Sequence, residues 1–373
     1  MKIVRKIKQL QGGSYLIGRL PRGCQLCAKG SKMVLFVTGL CDSSCYYCPL
    51  SQEKTGKDLV FADEVPVSSD DDILFEVDAV EGEGAGISGG DPLCVLDRTL
   101  EYICLLKSKY GPDFHIHLYT SKTTVSEDNL VHLREAGLDE IRFHPQGNDW
   151  SGIEHAIRLG IDVGLEVPAI PGKVESLKKI ALRAEKIGIS FLNINELEAS
   201  ETNFESLLAQ GMRLTDMASA SIEGSTETAK EFLDWASKNL KRLAVHFCSA
   251  RYKDAVQMRN RLERRLKQTM REFEEREETD PLLIVGIIRA PHGFNLNLRQ
   301  LNRIYDILRN EFGLPENLLN IDKIRMRIEL APGILEEYAE EIKNYLKEFR
   351  NLEIGVSYEY PSWDRLQTMF DPV

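Results

Sequence analysis

Val34-Leu35-Phe36-Val37-Thr38-Gly39, then Leu40, then Cys41-Asp42-Ser43-Ser44-Cys45-Tyr46-Tyr47-Cys48: an apolar run opens directly into three closely spaced cysteines. The run Met33–Thr38 is a strand candidate, and Gly39 ends it. Downstream the pattern repeats. Gly84–Ser88, Phe114–Tyr119, Glu140–Phe143, Asp162–Val167 and Phe191–Ile194 read as strands. Helical segments fall around 97–109, 125–136, 150–159 and 174–187. Strands separated by single helices imply parallel βα units. Leu243–Phe247 suggests one more strand.

Residues 255–276 have helical periodicity and dense charge. Glu274 to Asp280 is an acidic run closed by Pro281, which marks a domain boundary. After it come Leu282–Ile288, a helix near 297–310, Lys323–Leu330, a helix near 334–347 and Leu352–Tyr358. The expected fold is therefore α/β: a partial parallel (βα)6 TIM-like barrel over 33–250. A basic N-terminal extension, 1–32, precedes it. A charged helical connector, 251–280, and a small C-terminal α/β sandwich, 281–373, follow.

The chain has 373 residues, 43% hydrophobic and 28% charged, which excludes a wholly disordered or fibrous chain. No apolar run approaches the roughly 20 residues of a membrane helix. The basic start lacks the apolar core of a secretory signal, so a cytoplasmic protein without membrane association is expected. Net charge is -11, yet residues 1–32 carry eight Lys or Arg and no acid, and residues 241–267 carry nine bases against Asp254 and Glu263. Such patches suit an anionic partner, with RNA as one reading. A solvated charged face is the plainer one.

Eight cysteines stand at 24, 27, 41, 45, 48, 94, 104 and 248. Five within 25 residues read as metal ligands rather than as a disulfide framework. Cys94 and Cys104 sit in apolar runs and read as buried small hydrophobes. Three close thiolates suit an iron–sulfur cluster or a zinc site. Zinc would want a fourth ligand nearby, and no His occurs before residue 115.

The spacing Cys41-x3-Cys45-x2-Cys48, with Tyr47 before the last cysteine and an apolar strand before the first, resembles the radical S-adenosylmethionine (SAM) superfamily. More remotely, the N-terminal half resembles the activating enzymes of glycyl-radical proteins. The likeness covers residues 33–250. It implies that Cys41, Cys45 and Cys48 hold a four-iron, four-sulfur cluster whose open iron chelates SAM. Gly86-Ile87-Ser88-Gly89-Gly90-Asp91-Pro92 is similar to the family's Gly-Gly-Glu-Pro segment. The resemblance thus implies that Gly89, Gly90 and Asp91 receive the SAM amino group, with Asp91 standing where Glu is usual.

Other strand ends offer cofactor contacts. Thr120 and Ser121 suit the ribose or carboxylate, or cap the next helix. Arg142 suits the SAM carboxylate, or pairs with an acid inside the barrel, and His144 shares its side of the strand. Glu166 lies in the Glu166–Gly172 segment, a region that contacts the adenine in the family. Asn193, Asn195 and Glu196 are adenosine or substrate contacts, or surface caps. Cys24, Cys27 and Cys248 remain, with His246 beside the last. They read as an auxiliary iron–sulfur cluster, a zinc site or unligated thiols.

The implied activity is reductive cleavage of SAM to a 5′-deoxyadenosyl radical that abstracts hydrogen from a substrate. It calls for an external electron donor such as a ferredoxin or flavodoxin. RNA or another anionic macromolecule is the first substrate reading. A peptide, protein or small metabolite is the alternative, and a non-catalytic metal scaffold is a third.

Overall fold

The computed structural model describes residues 4–216, 219–349 and 351–373. The chain divides into two units, Met1–Arg261 and Leu262–Val373. In the first, hairpin strands β1 (Ile7–Gln9) and β2 (Tyr15–Ile17) precede helix α1 (Arg22–Lys29). Strand β3 (Lys32–Phe36) leads to the cysteine loop, then to short strands β4 (Phe61–Ala62) and β5 (Val65–Pro66) and helix α2 (Asp70–Ala79). The βα alternation follows: β6 (Gly84–Ser88), α3 (Leu96–Tyr110), β7 (His115–Thr120), α4 (Glu127–Ala136), β8 (Glu140–Phe143) and α5 (Ser151–Arg158). It continues with β9 (Asp162–Ala169), α6 (Val174–Ile187), β10 (Phe191–Glu196), α7 (Phe204–Ala209), α8 (Ser225–Asn239) and β11 (Ala244–Cys248). Helix α9 (Ala250–Tyr252), a π-helical segment (Lys253–Met258) and helix α10 (Arg259–Thr269) lead out of the unit.

The sheet order is β1-β2-β11-β10-β9-β8-β7-β6-β3-β4-β5. Every pairing from β3 to β11 along that path is parallel, so the partial barrel has seven parallel strands. The seventh is Ala244–Cys248. Strand β2 pairs antiparallel with β11, with Leu16 opposite His246, which builds the N-terminal extension into the sheet. The cause of the barrel is alternation. On β7, Ile116 and Leu118 are fully buried in the apolar core; on β8 and β9 so are Ile141, Phe143 and Leu165. Helix residues such as Ile103, Leu130 and Ile153 meet them there. The alternate residues, His117, Tyr119, Glu140, Arg142, Glu166, Asn193, His246 and Cys248, share the opposite face. The helices are closed by ordinary signals: Ser126 caps α4 through the Asn129 amide, and Gly137 ends it at φ 109°.

In the second unit, β12 (Glu275–Arg276) pairs with β13 (Leu283–Arg289). Then come α11 (Leu298–Glu311), β14 (Leu319–Asp322), β15 (Arg327–Leu330), α12 (Pro332–Leu346), β16 (Glu353–Glu359) and β17 (Gln367–Pro372). The antiparallel order is β14-β15-β13-β16-β17. Both helices pack Leu301, Ile304, Leu335 and Ile342 onto Ile288, Ile328 and Leu330. The break at Arg261 lies inside α10, earlier than the acidic run Glu274–Asp280, because β12 and Glu274 belong to the second unit's sheet and ion pairs. Among the described residues, no helix is long and apolar enough to cross a membrane.

Candidate active site

The cysteine loop starts where β3 ends. Its base is tied to the end of β6 by backbone hydrogen bonds: Gly90 donates to Thr38 at 2.7 Å and Asp91 to Leu40 at 2.7 Å. A Cβ on Gly90 would stand 2.3 Å from the Leu40 carbonyl oxygen, and one on Gly89 would stand 2.6 Å from that of Thr38. The two glycines are required for this close backbone approach. Cys41 and Cys48 are exposed and Cys45 is half-buried, all three as free thiols. The Ser43 amide donates to Cys41 Sγ at 3.4 Å and Gln146 Nε2 to Cys45 Sγ at 3.3 Å.

Asp91 is fully buried, and both carboxylate oxygens are taken. Thr120 Oγ1 donates to them at 2.9 and 3.0 Å, the Ser121 amide at 2.9 Å, Ser121 Oγ at 2.8 Å and the Leu93 amide at 3.0 Å. Held by four donor groups of its own chain, the Asp91 carboxylate is fixed in place beside the loop. Thr120 and Ser121 are its partners. Ser43 Oγ donates to Ser121 Oγ at 2.8 Å, and Lys122 pairs with Asp42 at 2.8 Å. Asp91 thus links the ends of β6 and β7 to the cysteine loop.

A second link runs from the loop into the barrel. His144 Nδ1 lies 2.7 Å from the Glu166 carbonyl, which only accepts, so Nδ1 carries the proton. Nε2 then accepts from the Tyr47 hydroxyl at 2.8 Å. Burial lowers the His144 pKa, which keeps the ring neutral. Tyr46 and Tyr47 pack on Leu197, Leu207 and Ile222, and Asn203 Nδ2 donates to the Tyr47 carbonyl at 3.1 Å. The aromatic pair therefore anchors the loop.

Arg142 is buried at 2% exposure and does not reach outward. Its Nε donates to Glu140 at 2.5 Å, and its Nη1 to Glu166 at 3.2 Å and Tyr119 at 3.3 Å. The expectation of a SAM carboxylate partner is corrected: Arg142 pairs with acids inside the barrel, the other reading of the sequence. Glu166 also accepts from Asn193 at 3.0 Å and Asn195 at 2.7 Å, so its side chain serves the interior network. His115, His117 and Glu140 hold three donor atoms within 4.8 Å of one another. A further cation there would meet the Arg142 guanidinium already bonded to Glu140. Burial first, then Arg142 and Lys32, lowers the His117 pKa well below its usual value. Burial alone would raise the Glu140 carboxyl, but Arg142 and His115 hold it at about 2.

The remaining cysteines are placed differently. Cys24 and Cys248 are buried and Cys27 is half-buried, while Cys104 is exposed and Cys94 half-buried. Cys104 does not join the core because α3 turns its neighbours Ile103 and Leu106 inward instead. Part of the basic stretches is spent on internal partners. Arg22 and Lys29 pair with Glu83, Lys253 with Glu198, and Arg261 with Asp63. Arg5 donates to the Leu243 carbonyl and Arg265 to that of Pro361. Beside the ends of β10 and β11 lies an open cleft of about 880 Å³, lined by Glu196, Glu198, Glu223, Glu227 and Asp254 and by Lys230 and Arg251, with Glu198 also paired to Lys253. Sequence reasoning missed Ser43, Gln146 and Tyr119. Gln146 carried one signal, its place two residues beyond His144.

Comparison with known proteins agrees with this architecture. The family profile for the radical SAM superfamily matches residues 35–162, and a domain of unknown function matches 282–368. A protein of Methanocaldococcus jannaschii, named as a candidate glycyl-radical enzyme activating enzyme, is 38% identical over 362 residues, covering 94% of this chain and 92% of its own. Among solved structures, the radical SAM enzyme coproporphyrinogen III oxidase of Escherichia coli aligns at 15% identity over 58% of this chain and 56% of that one, TM-score 0.36. Streptococcus suis SuiB bound to S-adenosylmethionine aligns at 11% identity over 59% and 50%, TM-score 0.42. The alignments therefore span little more than half of each solved chain.

Proposed function

The chain belongs to the radical SAM superfamily, as an enzyme that cleaves SAM and abstracts hydrogen, and from that premise we propose that Cys41, Cys45 and Cys48 hold its four-iron cluster and that its substrate is a peptide, protein or small metabolite rather than RNA. The donor set fits the cluster. The loop offers three free thiols within one short turn of chain, soft donors that suit an iron–sulfur cluster.

When bound, the cluster supplies the electron that cleaves SAM to methionine and a 5′-deoxyadenosyl radical. The chain's own residues do the rest. Asp91, through Thr120, Ser121 and Ser43, fixes the loop over the barrel mouth. Tyr47 and the neutral His144 lock it from the opposite side. Gln146 and the Ser43 amide donate to two of the sulfurs, a charge-assisted contact once these are thiolates. An external donor such as a ferredoxin or flavodoxin would deliver the electron. Eight free thiols suit a reducing compartment, hence the cytoplasm.

The observation that carries the substrate class is the acidic cleft beside β10 and β11, five carboxylates against two bases. It repels a polyanion and suits a cationic or neutral substrate. The Methanocaldococcus jannaschii relative, named for activating a glycyl-radical enzyme, favours a polypeptide. The test is direct. Reconstituted protein with reductant and SAM forms 5′-deoxyadenosine, and replacing Cys41, Cys45 and Cys48 together with Ala abolishes it. Retained cleavage in that variant refutes the cluster assignment. Salt-sensitive RNA binding of submicromolar affinity would refute the substrate class and restore the RNA reading.

A further inference from the structure

We infer that Cys24, Cys27, Cys248 and His246 form a second metal centre within the barrel, one that takes an iron–sulfur cluster. Cys24 and Cys27 lie one turn apart on α1. Asn193 Nδ2 donates to Cys24 Sγ at 3.1 Å. On the neighbouring strand, Asn193 is in register with His246 and Asn195 with Cys248. His246 and Cys248, two residues apart on β11, therefore share the face that meets α1. Gln257, from the π-helical segment after β11, donates to Cys248 Sγ at 3.5 Å. Cys24 and Cys27 both lie near enough to act on Cys248, and all three act on Tyr252. Residues distant in sequence thus surround one spot.

Two independent observations point to a missing ligand there. The first is His246. It is 1% exposed, and neither ring nitrogen has a hydrogen-bond partner. A buried imidazole with two idle nitrogens is costly unless one of them binds something. The second is Lys32. Its side chain is buried at 5% exposure, and among the described residues no carboxylate lies within ion-pair distance of it. Its partners are the Cys27 thiol and the Tyr119 ring. A buried ammonium calls for an anion beside it. Arg142 and Lys253 differ in this, because they already pair with Glu140 and Glu166 and with Glu198.

Donor chemistry points to the metal. Three thiolates and an imidazole are soft donors that suit an iron–sulfur cluster with a closed ligand set. Zinc, which takes the same donors, is the outcome that the test below would read against it. The site shares no residue with the loop of Cys41, Cys45 and Cys48, so it stands or falls separately from the function proposed above.

The test is iron and acid-labile sulfide per chain in anaerobically reconstituted full-length protein. Wild type should hold about eight irons, and about four should remain when Cys41, Cys45 and Cys48 are replaced by Ala, or when Cys24, Cys27 and Cys248 are. A wild type that saturates at four irons, shown also by a single cluster component in its Mössbauer spectrum, overturns the second centre without needing any variant. So does stoichiometric zinc retained by the Cys41/Cys45/Cys48 variant. If that variant keeps all eight irons while the other loses four, the second centre stands and the first assignment fails. In the Cys41/Cys45/Cys48 variant, pulsed EPR of the reduced protein without SAM should show an imidazole nitrogen coupling that His246→Ala removes. A spectrum without that coupling overturns His246 as the fourth ligand.

Discussion

The barrel interior and the sheet of the second unit bury similar chemistry in opposite states. In the second unit, Arg327 donates to Glu359 at 2.5 and 2.8 Å and to Glu329 at 2.8 Å. Ser357 adds a bond to Glu359, Asn320 and Arg271 bonds to Glu329, and Arg365 pairs with both Glu274 and Glu359. In the barrel, Glu140, Arg142, His117, Asn193 and His246 each keep at least one buried polar atom without a partner. Among the described residues, no such atom occurs beyond Arg261. A saturated network holds a sheet together and asks for nothing more. An unsaturated one, closed only in part by its own side chains, is where a ligand completes the hydrogen bonding.

The largest expected effect lies in the saturated network. Glu359→Ala leaves Arg327 buried with half its partners and should cost about 3–5 kcal/mol. A lowered denaturation midpoint with unchanged SAM cleavage per cluster supports the contrast; an unchanged midpoint breaks it. Next comes acid titration of the barrel. Glu140 titrates near 4.5 when unfolded and at about 2 when folded. The unfolded chain therefore binds the proton first as pH falls. Its contribution, up to about 3 kcal/mol, is present above the unfolded value and is lost as pH drops toward 2. Urea midpoints of the metal-free protein should fall through that window more steeply in wild type than in Glu140→Gln. Equal slopes would show that Arg142 does not hold the carboxyl down.

Asp91→Ala removes the acceptor of four donor groups and should cost about 1.5–3 kcal/mol locally. Because Asp91 positions the loop, iron content should fall together with SAM affinity. A variant that loses SAM affinity with full iron would show direct contact. Tyr47→Phe deletes the neutral hydrogen bond to His144, worth about 1 kcal/mol, and the longer one accepted from Gln146. It should slow SAM cleavage several-fold with iron retained, and wild-type rates would remove the His144 link from the site. The smallest effect belongs to His246→Leu in metal-free protein. An imidazole that bonds nothing is replaced within about 1 kcal/mol. A larger loss of stability, read from denaturation, would mean that His246 is already satisfied without a metal.

Much of the fold was legible because strand periodicity is local. Ile141-Arg142-Phe143-His144 alternates visibly. The cysteine loop was legible because three ligands within eight residues need no folding to be adjacent. Cys104 was misread, since Ile103-Cys104-Leu105-Leu106 is apolar throughout and only the helix phase decides which residue faces outward. The basic stretches were legible only in part, for a related reason. Composition counts Arg22, Lys29 and Arg261 but cannot show that Glu83 and Asp63 await them.

By itself the sequence determined the strand–helix alternation from β6 to β10, the family and the one set of candidate cofactor ligands that lies within a single loop. It also supplied the glycines at 89 and 90, whose spacing from the loop fitted that family. Tertiary structure alone decided what those glycines touch, that Asp91 is enclosed by Thr120 and Ser121, and that Arg142 faces Glu140 and Glu166. It alone brought Cys24 and Cys27, on a helix before the barrel, to Cys248 on the last parallel strand. The physical reason is that side-chain chemistry is fixed by residue type, whereas partnership depends on distance. Distance between residues more than two hundred positions apart is set by sheet register and barrel curvature, which no local pattern encodes.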